Sequence, residues 1–358
     1  MIKRQQRTEW LDIARSVAII LVVLNHSVEM VYDFNMVGWN CYSLKTNILK
    51  TFIFTAGRLG VPLFLSISGT LLLNKNYESE KNIKKFYQHN LFRLVVTVEL
   101  WNIIYYMFRY MFYGIFDLKS FVRCLLFLEL NPMANMWYMP MIIGIYVIIP
   151  FLAIAIQNSP VKILTFPLLM SFVFVVIYPS INVYLYIFRL KSVSTCLDIS
   201  FCGGIYGLYL ILGYLIEKGI FSKIKYNLLI GSFLFAYGIS VFTQVFAHNY
   251  QYDYNVWYTF VGNFVSGLTL FELFRRMESV TLPKWLIWIY HYIAKVSLAI
   301  FFLHMPVLLL LYRIIGLICG RRIFLVFLLW IMGFTVCLAS SFLLGKNKWI
   351  QKYLFFYK

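Results

Sequence analysis

Glu9-Trp-Leu-Asp12-Ile-Ala-Arg15-Ser-Val-Ala-Ile-Ile-Leu-Val-Val-Leu-Asn25-His26-Ser-Val-Glu29 opens the apolar part of this chain. Between Arg15 and His26 the stretch is almost wholly aliphatic, which predicts a helix crossing a bilayer. About three turns separate the two residues, so their side chains share one face roughly 16 Å apart. Asp12 and Glu29 fall on the same stripe. Ionisable groups inside a spanning helix are costly and turn toward protein or a wet cavity. The plainer reading is anchorage, with Arg15 snorkelling to the headgroups and His26 bonded within a bundle. Four polar groups on one stripe point instead to the wall of a polar site.

The composition around this helix agrees with a membrane setting. Hydrophobic residues make up 61% of the 358 and charged ones 13%, against roughly 25% charged in soluble domains. Apolar windows near residues 11–31, 51–73, 93–115, 136–156, 161–178, 199–216, 227–247, 255–274, 294–312 and 323–344 predict about ten spans. The expected fold is therefore all-α, one polytopic membrane domain over residues 1–358. Its net charge of +18 is read through its distribution. With the N-terminus inside, 19 of the 32 Lys and Arg fall in cytoplasmic segments and 9 outside; Arg15, Arg58, Arg109 and Lys295 lie within spans. That bias places both termini in the cytoplasm. The charge then serves topology and attraction to anionic lipid, and no nucleic-acid partner is expected.

A cleaved signal is not expected, because Arg15 interrupts the apolar run and no small-x-small site follows it. The six cysteines have no metal or redox spacing, and Cys41 and Cys196 are the two that face outward together. Five histidines without a ligand cluster argue against a metal. Residues 74–90 read as a polar cytoplasmic connector, 119–128 as a short interfacial helix, and 180–198 as an outward aromatic belt. Glu99 and Arg109 share one face of the third span.

Four segments carry the chemistry. The first is Asp12-x-x-Arg15 with His26. The second is Arg58-Leu-Gly-Val-Pro62-Leu-Phe-Leu-Ser-Ile-Ser68-Gly69, an arginine near the outer end of span two followed by a proline kink. The third is Met136-Trp137-Tyr138-Met-Pro140, and the fourth is Ser297-Leu-Ala-Ile-Phe-Phe-Leu-His304-Met-Pro306. In this order, with Gly207 and Gly213-Tyr214 between them, the set resembles the acyltransferase-3 family of integral-membrane acyltransferases, in its short form without an added extracytoplasmic domain.

The resemblance implies transfer of an acyl group, usually acetyl, from cytoplasmic acyl-CoA to a hydroxyl of a cell-surface glycan or its lipid-linked precursor, in the inner (plasma) membrane. Acyl-CoA enters as co-substrate, and no cofactor or metal is implied. Deprotonating a sugar hydroxyl as it attacks a thioester needs a base titrating near neutrality, a role that suits His26. Arg15 suits a bidentate contact to the phosphates or carbonyls of the donor, with Asp12 orienting it or forming a plain ion pair. Arg58 suits the acceptor or the developing oxyanion, or else snorkels. Trp137 and Tyr138 suit a sugar-stacking wall or an interfacial belt. His304 suits a substrate contact or a packing role across helices. One departure is clear. The paired-basic pattern expected before the third span is reduced to Arg93, with Asn90 in the first position. The alternatives are a polytopic transporter of glycan or small molecule and a non-catalytic subunit of a polysaccharide-synthesis complex.

Overall fold

A computed structural model describes residues 9–197, 199, 203–279, 282–319 and 322–356. Lys3, Arg4, Arg7, Cys202, Arg321 and Lys358 lie outside the described residues. Helix α1 (Glu9–Val31) leads through α2 (Met36–Asn40) to α3 (Leu44–Arg58) and α4 (Gly60–Leu72). Next come α5 (Glu80–Phe86), α6 (Phe92–Tyr113), α7 (Leu118–Leu125), α8 (Tyr138–Gln157), α9 (Val161–Phe172) and α10 (Tyr178–Ile187). The chain continues through α11 (Gly204–Glu217), α12 (Tyr226–Asn249), α13 (Val261–Arg276), α14 (Lys284–Cys319), α15 (Ile323–Leu344) and α16 (Lys348–Tyr353). There is no strand among the described residues.

Among the described residues, eight helical segments are long and apolar enough to cross a membrane, so the chain is an all-α polytopic membrane protein. Two of the expected spans are shorter than that standard. Helices α11 and α13 have 14 and 16 residues, about 21 and 24 Å long against a hydrocarbon core of about 30 Å. Local chemistry moves several other boundaries. Span two starts at Leu44, where the Ser43 hydroxyl accepts from the Thr46 amide, and Arg58 therefore sits midway along Leu44–Leu72 and not near its end. The expected connector 74–90 is partly helical because Ser79 caps α5. Helix α10 takes up residues expected to be outward loop. The short helix expected over 119–128 is α7.

The chain divides into two compact units, one built from 1–74 with 161–297 and the other from 75–160 with 298–358. In the first unit, α1 is buried along its length, with Ala14, Ala18, Ile19, Val23 and Val28 fully covered. Helices α3 and α4 meet at a break because Pro62 has no N–H to offer the Arg58 carbonyl. Gly57 and Gly60 flank that break and let it seat on α1. A Cβ at Gly57 would strike Asn25, and one at Gly60 would strike the Ala18 carbonyl and Val22. Further along, Gly69 on α4 and Gly213 on α11 place the two helix backbones in direct contact, and the Thr70 hydroxyl donates to the Gly213 carbonyl at 3.1 Å.

The α1–α3 connection, residues 32–43, is clasped from two helices. Lys50, fully buried, donates to the Asp33 carbonyl at 3.0 Å. Its ammonium lies 4.9–5.9 Å from the ring centres of Tyr32, Phe34, Trp39 and Tyr42, a desolvated cation held largely by π-faces. From α12, the buried His248 stacks on Trp39 at 4.4 Å, with its ring nitrogens facing the Gln244 and Phe34 carbonyls at 2.9 and 3.0 Å.

In the second unit, Trp101 stacks on Phe302 at 5.0 Å and donates through Nε1 to the Leu354 carbonyl. Pro306 cannot donate to the carbonyl four residues back, that of Phe302, and the buried Tyr105 hydroxyl donates to that oxygen instead. Asn135 donates to the neighbouring Phe301 carbonyl at 3.0 Å and to the Tyr105 oxygen at 3.2 Å.

Cys41, Cys124, Cys196 and Cys337 are free thiols, the first and third exposed. Burial, with Glu99 adding to it, pushes the Cys124 thiol up to about 11. A thiol kept protonated is a poor nucleophile. Maleimide at neutral pH is accordingly expected to label Cys41 and Cys196 and to spare Cys124 and Cys337. Site-resolved mass spectrometry checks this, and labelling of Cys124 at the rate of Cys41 would contradict the packing of α7.

Candidate active site

Asn25, His26 and Glu29 lie on consecutive turns at the C-terminal end of α1, and Arg58 reaches them from the end of α3. His26 Nδ1 is 2.8 Å from Glu29 Oε2. Glu29 Oε1 accepts from Arg58 Nη2 at 3.2 Å. The result is a relay from guanidinium through carboxylate to imidazole, most of it shielded from solvent, where charge interactions gain strength. With Nδ1–H donating to the carboxylate, the basic lone pair sits on Nε2. A carboxylate placed this way fixes tautomer and ring orientation and stabilises the imidazolium that forms when the base takes a proton.

Arg58 is held as firmly as it holds. Its guanidinium carbon lies 4.4 Å from the Phe54 ring centre, 4.9 Å from that of Trp257 and 5.8 Å from that of Tyr258. Nη1 approaches the Tyr258 hydroxyl at 3.5 Å. Tyr258 is fixed in turn by the Tyr209 hydroxyl, which donates to its carbonyl at 3.0 Å. The guanidinium, which suited acceptor or oxyanion contact by sequence, is engaged with the Glu29 carboxylate and with rings.

At the other end of α1, Asp12 faces His291 Nε2 at 3.4 Å, and the Ser16 hydroxyl donates to the Tyr290 carbonyl at 2.9 Å. Arg15 is half-buried on the same helix. Trp137, Tyr138 and His304 belong to the second unit. There Tyr138 packs on Phe301 at 5.7 Å, and the fully buried His304 packs on the same ring at 5.9 Å while its Nδ1 faces the Ile300 carbonyl at 3.2 Å. The seven expected site residues thus fall into three groups: His26 with Arg58, Asp12 with Arg15 along the lower part of α1, and Trp137, Tyr138 and His304 about Phe301.

Sequence reasoning placed Glu29 on the stripe without giving it a role. The signal was its spacing three residues after His26, which puts it within reach on a helix. Nothing local marks Trp257, Tyr258 or His291, whose contacts with Arg58 and Asp12 reach across more than one hundred residues of chain. Among the described residues no His, Cys, Asp and Glu gather as a metal site.

The model of the acyltransferase-3 family, described as an acyltransferase domain, matches residues 8–346. No curated protein and no solved structure matches the chain. A match over nearly the whole sequence, on an all-α polytopic frame that carries a carboxylate-oriented histidine, identifies the family: the chain belongs to the acyltransferase-3 membrane acyltransferases.

Proposed function

We propose that this membrane acyltransferase is an O-acetyltransferase of the plasma membrane, moving acetyl from cytoplasmic acetyl-CoA to a hydroxyl of a cell-surface polysaccharide or lipid-linked glycan precursor. The observation that supports it is the Arg58–Glu29–His26 relay at one end of α1. With both termini cytoplasmic, His26 stands about 25 Å along α1 from its inner end, close to where an outward-facing glycan arrives.

His26 Nε2 takes the proton of the acceptor hydroxyl as that oxygen attacks the thioester carbonyl carbon. The tetrahedral oxyanion collapses, the carbon–sulfur bond breaks, and the departing CoA thiolate takes the proton from the imidazolium. Ester and free thiol are the products, with no net proton change. Glu29 holds the imidazole and stabilises its charged form, while Arg58 holds Glu29 in place. Arg15, a few turns toward the cytoplasm, grips the donor.

The test is [14C]acetyl-CoA with the purified protein and surface polysaccharide stripped of its esters by mild alkali. Label entering the polysaccharide in an alkali-labile form is expected, whereas polysaccharide that stays unlabelled while the protein binds acetyl-CoA would overturn the proposal. On the donor side, Arg15→Lys keeps the charge and loses the planar fork. It is expected to raise the KM for acetyl-CoA about tenfold, the equivalent of roughly one charge-assisted hydrogen bond, and to leave the acceptor KM in place. A change confined to the acceptor KM would reverse the assigned sidedness.

A further inference from the structure

Trp257 is the exposed member of the aromatic group around Arg58. It keeps 36% of its surface accessible, while Phe54 and Tyr258 on the same guanidinium keep 1% and 3%. The segment that carries it has no regular secondary structure, yet it is tied down on both sides of the indole. The Gln244 side chain on α12 accepts from the Val256 amide at 3.0 Å and donates to Asn255 at 2.9 Å. Val256 and Phe260 are buried in a cluster with Val183, Ile187 and Ala247. The Tyr209 hydroxyl holds the Tyr258 carbonyl, and the Phe260 amide donates to the carbonyl of Trp257 itself at 3.1 Å. The indole also rests on Tyr258 at 4.8 Å and is hydrogen-bonded to the Tyr206 side chain.

A large ring on a fixed loop, left partly open, costs apolar exposure that burial elsewhere would have removed. Rigid amphipathic rings of this kind bind ligands at small entropic cost, because little freedom remains to be lost. The position matters as much as the exposure. The indole packs on the guanidinium that bonds Glu29, and Glu29 bonds His26. A molecule lying on Trp257 is therefore at the rim of the relay.

We propose that Trp257 is the acceptor platform: a sugar ring of the glycan packs its C–H face on the indole and so presents a hydroxyl to His26. This rests on the proposed function, since it names the part of that site that takes the acceptor. Trp137 and Tyr138, the sugar wall expected from sequence, belong to the other unit. The indole supplies area and orientation and takes no part in proton transfer.

The test is equilibrium binding of de-esterified surface polysaccharide to the full chain in lipid nanodiscs, without donor. Trp257→Ala is expected to weaken binding about tenfold, and Trp257→Phe, which keeps a ring over Arg58, to restore most of it. Trp288→Ala serves as the control for a merely interfacial tryptophan, since Trp288 is 69% exposed on the same unit and is expected to leave binding unchanged. In the transfer assay the acceptor KM is expected to rise in Trp257→Ala with the acetyl-CoA KM constant. Equal binding by wild type and Trp257→Ala, an equal loss in Trp288→Ala, or a fall in kcat alone would each overturn the platform. Failure of the function shows differently, as absence of label transfer by a wild-type protein that binds polysaccharide through Trp257.

Discussion

His26→Ala is expected to lower acyl transfer about 10²–10⁴-fold, the usual worth of a positioned general base, while the protein still inserts and binds acetyl-CoA. The side chain lies at the edge of the packed interior, so its loss leaves no large apolar void. Glu29→Gln separates the two halves of the relay. The glutamine carbonyl still accepts from Nδ1–H, so orientation survives, but the negative charge opposite the imidazolium is gone. A fall in kcat of smaller size than for His26→Ala is expected, with both KM values close to wild type. Radiolabel transfer at saturating donor and acceptor measures both variants. Near-normal glycan acylation by a well-expressed His26→Ala protein would remove His26 from the mechanism. A Glu29→Gln variant as active as wild type would reduce the relay to packing.

Gly69→Val is the substitution expected to damage the fold most. The added side chain would run into the Leu210 carbonyl, and the mirror contact at Gly213 would run into the Ser66 backbone. A flexible side chain can swing away, but a helix backbone moves only with its whole helix. Overpacking of side chains costs about 1–3 kcal/mol, and a clash with main chain belongs at or above the top of that range. Loss of monodisperse protein in detergent, or a sharply lowered Tm, is the expected result. Gly144→Ala is the matched control. Nothing lies within 4 Å of its added Cβ, and alanine suits a helix better than glycine. If the two variants melted together, α4 and α11 would not be in backbone contact.

Periodicity and composition were enough to read α1, its polar stripe, the proline break in span two and the all-α polytopic class, because each depends on neighbours within a few turns. The relay was half legible. His26 and Glu29 are one turn apart, whereas Arg58 joins them only because Gly57 and Gly60 let the α3–α4 break lie on α1. That seat is written in the sequence as Gly57-Arg-Leu-Gly60, but small residues flanking an arginine have many uses, and only the packing selects this one. The clasp on residues 32–43 was illegible for a similar reason. Lys50 reads as an outward-facing charge until four rings from a different segment close around it. Helix ends were misplaced where a capping serine decided them, since Ser43 and Ser79 act on orphan amides that hydropathy does not register.

Tyr105 and Pro306 meet at a single carbonyl, that of Phe302. A proline in mid-helix opens one carbonyl, and a phenol two hundred residues earlier in the chain closes it. The two changes are unequal: losing the phenol leaves a bare oxygen in the apolar interior, whereas an N–H returned at position 306 shares the same carbonyl with the hydroxyl through its second lone pair. Order of substitution therefore matters: replacing the proline first costs no hydrogen bond, and replacing the tyrosine first strands the Phe302 oxygen. Relatives that lack the hydroxyl are thus expected to lack the proline as well, whereas relatives that lack only the proline can keep the hydroxyl in place.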